Sequence, residues 1–195
     1  METMNAVSKT RRAVLAFVAA LGLLPLAACI DDFPVPLDPG PKEKLDQGLI
    51  GTWSCMAVEP KVPSDLVIKP EDEDARLVLK FEDSSPWYSI RSVGLDKGED
   101  QNWDAYPSKL GGLTVLNAWP RVEGPKAPRK EVTLLSYAWL SPTLFQFNLI
   151  DPDPLKGSAL SPASALRKTL QARRSDRAVF TPWIVCARAK IVDPS

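Results

Sequence analysis

Glu71-Asp72-Glu73-Asp74 is the densest run of side chains able to bind a metal ion or carry a proton. Four adjacent carboxylates could hold calcium, but their spacing matches no EF-hand loop and the turn glycine is missing, so a solvated acidic loop is the plainer reading. Glu99-Asp100 and Asp151-Pro152-Asp153 read the same way. The chain contains no histidine, which removes serine–histidine and cysteine–histidine nucleophiles along with histidine metal sites. No metal and no cofactor are expected, and the function is read as non-catalytic. Arg167, Lys168, Arg173, Arg174 and Arg177 concentrate positive charge; this is either the solvated face of a helix or a surface for anionic lipid headgroups. The aromatic residues Tyr88, Trp103, Tyr106, Trp119, Tyr137 and Trp139 are the remaining resource. They could line a cavity for a small hydrophobic or amphipathic ligand, with Tyr88, Trp119, Tyr137 and Trp139 as the candidate lining. Equally, they could pack a barrel solid.

The elements that must position these residues begin after an export signal. Lys9, Arg11 and Arg12 precede an uncharged apolar run from Ala13 to Leu24. That run is too short for a transmembrane helix, which needs roughly 20 residues. Leu26-Ala27-Ala28-Cys29 resembles the lipobox of bacterial lipoproteins, the alternative being an ordinary cleavage site followed by a chance cysteine. The resemblance implies that residues 1–28 are removed and that Cys29 carries more than one acyl chain, enough for stable membrane anchoring. Ile30 after the cysteine, by resemblance to the sorting rule of Gram-negative lipoproteins, favours the outer membrane, facing the periplasm. Thr10 to Leu15 weakly resembles a twin-arginine signal, although a general secretory signal explains it as well.

The chain has 24 basic and 24 acidic side chains, of which residues 1–28 hold three and one, leaving 21 against 23. Without a basic surplus, nucleic acid is not an expected partner. The length suits one domain: residues 29–46 as a lipidated cysteine with a proline-rich tether, 47–191 as a single barrel-like domain and 192–195 as a tail. Four prolines between Asp32 and Pro41 favour extended polyproline geometry in the tether.

Alternation with period two dominates from Gly48 onward. It predicts strands at 49–57, 76–82, 87–93, 113–119, 132–139, 144–150 and 183–189, with Ser141-Pro142-Thr143 as a tight hairpin connection. Leu95 to Gly112 reads as a long loop. Ser161 as N-cap and Pro162 at the first position, followed by Ala163, Leu166 and Leu170, predict one short amphipathic helix at about 162–173. Seven or eight antiparallel strands with a helix before the last one suggest a mainly β fold, an up-and-down barrel or strongly curved sheet.

With Cys29 committed to lipid, Cys55 and Cys186 remain, one in the first strand and one in the last. In an oxidising compartment they can form only one intramolecular disulfide, which makes those strands neighbours; the alternative is two buried thiols. Side-chain parity then puts Trp53 and Arg188 on one face of adjacent strands, where a guanidinium can cover an indole. Gly51 lies on the same face and leaves space or permits a bend. Gly51-Thr52-Trp53 with Arg188 resembles the lipocalin signature, a G-x-W whose tryptophan closes the bottom of a barrel beneath an arginine. Together with the lipobox and the proline tether, the chain resembles small envelope lipoproteins of proteobacteria with a lipocalin-like domain. The resemblance implies a small lipophilic ligand; an interaction module docking on another envelope protein is the alternative.

Overall fold

A computed structural model describes residues 32–58, 77–93, 101–121 and 131–189. The signal sequence, Cys29, Glu71 to Asp74, Glu99-Asp100 and the C-terminal tail lie outside the described residues. Eight strands, β1 (Gly51–Ala57), β2 (Leu77–Ser84), β3 (Trp87–Val93), β4 (Gln101–Leu110), β5 (Leu113–Pro120), β6 (Thr133–Ser141), β7 (Leu144–Ile150) and β8 (Phe180–Arg188), follow each other in chain order. Each pairs antiparallel with the next and β8 pairs with β1, so the sheet closes into an up-and-down barrel of the expected lipocalin-like architecture. Closure leaves no strand edge free to recruit another chain. One short helix, α1 (Ala163–Ala172), precedes the last strand. Its N-cap is Pro162, whose carbonyl accepts from the Leu166 amide; no side-chain cap hydrogen bond forms there, so the expected Ser161 cap is displaced by one residue.

The connections at the two ends differ. At one end Ser85–Pro86, Gly111–Gly112 and Pro142–Thr143 are two-residue hairpins. Gly111 and Gly112 both have positive φ, 52° and 93°, the backbone that a tight hairpin demands and that glycine adopts without penalty. At the other end, the rim, the strands are joined by residues 58–76, 94–100, 121–132 and 151–179.

Two apolar cores result. The inner core fills the barrel with Trp53, Phe81, Tyr88, Phe145 and Phe147 among others. The outer core lies on the outside of the wall, where Tyr106, Leu110, Val115, Trp119 and Leu134 meet Leu166 and Leu170 of α1 and Phe33 and Leu37 of the N-terminal segment.

Two expectations are corrected. Residues 101–110, expected to be loop, form β4, paired with β3 and β5. The segment expected to be a free tether is docked from Asp32 onward: Phe33 exchanges two backbone hydrogen bonds with Val132, and Phe33 and Leu37 are fully buried. The folded body therefore begins before residue 47. Its cause is the outer face of β4 to β6, too apolar to be left in water, which α1 covers only in part.

Candidate ligand cavity

The hairpin end is sealed by the residues around Trp53. Cys55 and Cys186 face each other in register and are disulfide-bonded, with Cα atoms 4.0 Å apart. Two residues along, Trp53 faces Arg188, whose guanidinium carbon lies 4.6 Å from the indole centroid. Arg188 Nη2 also donates to Gly48 O at 2.7 Å, and Trp53 Nε1 donates to Leu49 O at 2.8 Å. Gly51 has φ 134°, and a Cβ there would lie 3.3 Å from Arg188 Nη1. The space it leaves belongs to the guanidinium rather than to the indole ring.

Asp46 completes the seal, a role no signal in Glu43-Lys44-Leu45-Asp46 betrayed. Its Oδ2 accepts from Tyr137 Oη at 3.0 Å and Trp139 Nε1 at 2.9 Å, while Oδ1 accepts from the Gly48 amide at 2.9 Å. Tyr88 Oη donates to the Asp46 carbonyl at 3.3 Å. Burial, reinforced by the Asp46 charge, pushes the Tyr137 phenol far above its usual range, and burial does the same to Tyr88. The four aromatic residues expected to line a cavity are thus placed otherwise. Tyr88, Tyr137 and Trp139 belong to the sealed end, and Trp119 sits on the outer face against Trp87 and Tyr106, at 5.2 and 5.6 Å between ring centroids.

Toward the rim the barrel is hollow. A cavity of about 230 Å³ is lined by Leu77, Leu79, Phe81, Ile90, Ser92, Gln101, Trp103, Ala118, Thr133, Leu135, Phe147 and Trp183. Leu77, Gln101 and Thr133 are the first residues of their strands, so the cavity reaches the rim. Among the described residues, no ionisable side chain lines it. Two of its three polar residues have partners: Ser92 Oγ donates to Gln101 O at 3.3 Å and Thr133 Oγ1 to Asp32 Oδ1 at 2.6 Å. What the site offers is burial of apolar surface, with hydroxyl and amide groups at its margin. Of the six aromatic residues singled out in the sequence, only Trp103 reaches it. Its strand parity is hidden in the sequence because residues 104–108 are buried on both faces and residues 101–110 carry no clean period of two.

Tyr137 and Trp139 do border a second depression, about 450 Å³, at the sealed end with Glu43, Lys44, Asp46 and Lys109. Its charged border suits polar species rather than an apolar occupant. Among the described residues no cluster of three or more acidic, cysteine or histidine side chains is placed to hold a metal. Compared with protein-family models, curated proteins and solved structures, the chain matches none.

Proposed function

We propose that the protein is a lipid-anchored envelope lipoprotein that holds a small hydrophobic or amphipathic molecule in its barrel without covalent chemistry. The apolar cavity at the rim carries this reading. Its size supports a small occupant: a 150 Å³ apolar cavity accepts benzene, whereas drug-sized ligands occupy about 300–1,000 Å³. A space of about 230 Å³ therefore suits one acyl chain segment or a small ring system, with any polar head left at the rim beside Ser92, Gln101 and Thr133. Anchoring is proposed on the resemblance of Leu26-Ala27-Ala28-Cys29 to a lipobox. Cys29→Ser should release the protein from the membrane fraction.

Native mass spectrometry with solvent extraction tests the ligand directly, on a chain starting at Asp31 and expressed in the periplasm. A stoichiometric lipophile released on denaturation is the expected result. A clean unliganded mass, unchanged after incubation with envelope lipids, would favour docking on another envelope protein instead. That second reading draws on the exposed side chains of Trp139 and Leu140, 36% and 53% accessible beside the β6–β7 hairpin.

A further inference from the structure

The position of the N-terminal segment bears on how the cavity is filled. Thr133 is at once a lining residue of the cavity and the hydrogen-bond partner of Asp32. Phe33 N donates to Val132 O at 2.9 Å and Val132 N to Phe33 O at 3.0 Å, which pins the segment next to the start of β6. The chain therefore emerges from the folded body at the rim, not at the sealed end. Two residues, Ile30 and Asp31, separate Asp32 from Cys29; the three steps of extended chain span at most roughly 11 Å.

The rest of the segment cannot be paid out to lengthen this link. Phe33 and Leu37 are buried in the outer core, the Leu37 amide donates to Asn117 Oδ1 at 2.7 Å, and Arg167 pairs with Asp38 at 2.9 Å. A free proline-rich tether over residues 29–46, at about 3 Å per residue, would let the barrel stand roughly 50 Å from its anchor. The docked segment removes that freedom. We propose that the rim of the barrel is held against the membrane and that the cavity takes up an acyl chain directly from the adjoining leaflet. The inference rests on the lipidation of Cys29 put forward above and adds to it an orientation and a source for the ligand.

The test places a photo-reactive benzophenone amino acid, one position at a time, in the full chain in native membranes. Gln101 lines the cavity at the rim, and Val93 is 42% exposed on the outside of the last residue of β3. At the sealed end Leu140, next to the β6–β7 hairpin, and Thr143, within it, are exposed. After irradiation, lipid adducts identified by mass spectrometry should be at least several-fold more abundant at Gln101 and Val93 than at Leu140 and Thr143. Inserting ten Gly/Ser residues between Ile30 and Asp31 should lower the Val93 adduct several-fold while the chain stays in the membrane pellet. Equal yields at both ends, from a chain that remains in the pellet, would overturn the orientation and leave the anchor standing. A full-length chain recovered in the soluble fraction, with no acyl mass on Cys29, would overturn both.

Discussion

Tyr88, Tyr106 and Tyr137 are the three tyrosines of the chain, and all are buried. Burial raises each phenol above its ordinary value, with the Asp46 charge adding to Tyr137 and the Asp38 charge to Tyr106. An unfolded chain loses its phenolic protons near pH 10, whereas the folded chain keeps them, so stability is fully present below that pH and falls as pH rises above it. The slope is up to about 1.4 kcal/mol per pH unit for each tyrosine. In an alkaline titration, phenolate absorbance should stay absent past pH 10 and then appear together with the loss of β-sheet circular dichroism. Phenols ionising near pH 10 in a chain that keeps its sheet signal would contradict their burial. The residues of the seal were unequally legible in the sequence. Trp53, Gly51 and Arg188 could be related through strand parity and one assumed disulfide. Asp46 could not, because its role depends on a loop that brings it beneath two strands distant in sequence, and a lone acid in a polar stretch has no period to reveal it.

Strands such as β2 and β7 are readable because one apolar face stamps a period of two on the sequence, while β5 and β6, with Val115, Trp119 and Leu134 outward and Leu116, Ala118 and Leu135 inward, are readable as apolar runs. β4 shows neither pattern. Its inner face carries Trp103 and Ala105, its outer face Tyr106 and Leu110 beneath the outer core, and Asp104, Pro107 and Lys109 interrupt both. Asp104 is buried yet paired with Arg121 at 2.9 Å, which makes a charge tolerable in a wall strand. The N-terminal segment departs from the tether its prolines suggest, because Phe33 and Leu37 dock it on the outer core and the chain bends at Pro34, Val35 and 37–40. Burial of such side chains is worth several kcal/mol; truncating phenylalanine or leucine in a core typically costs 3–5 and 2–5 kcal/mol. A chain starting at Gln47 loses Phe33, Leu37 and Asp46 together, and its urea midpoint should fall sharply or its expression end in aggregates. A midpoint unchanged from that of the chain starting at Asp31 would restore the tether reading. The bond between β1 and β8 acts on the same scale. Replacing Cys55 and Cys186 by alanine should cost about 2–5 kcal/mol in urea unfolding. The barrel should still close, since five residue pairs hold these strands in register.

The molecule as a whole is packed unevenly along its axis. At the sealed end Trp53 meets Phe145 edge-on at 4.7 Å and Phe81 meets Tyr88 at 5.8 Å, the density expected of a protein interior. At the rim about 230 Å³ is left to its lining; an enclosed apolar void of that size would cost on the order of 5 kcal/mol, an upper bound for a cavity that opens at the rim. An occupant recovers part of that deficit. A ligand at a hundred times its Kd stabilises the folded state by about 2.7 kcal/mol, which in a domain of this size corresponds to roughly 5–11 °C in Tm. Ala118 lies on the inner face of β5 within the cavity lining, so Ala118→Phe directs a ring into the void. Where the ring fits, the unliganded Tm should hold or rise; where it crowds Phe81 and Phe147, overpacking should cost about 1–3 kcal/mol. In either case the shift produced by oleate in the parent chain should vanish. An equal oleate shift in parent and variant would place binding elsewhere, with the depression beside Asp46, Tyr137 and Trp139 as the next site to block.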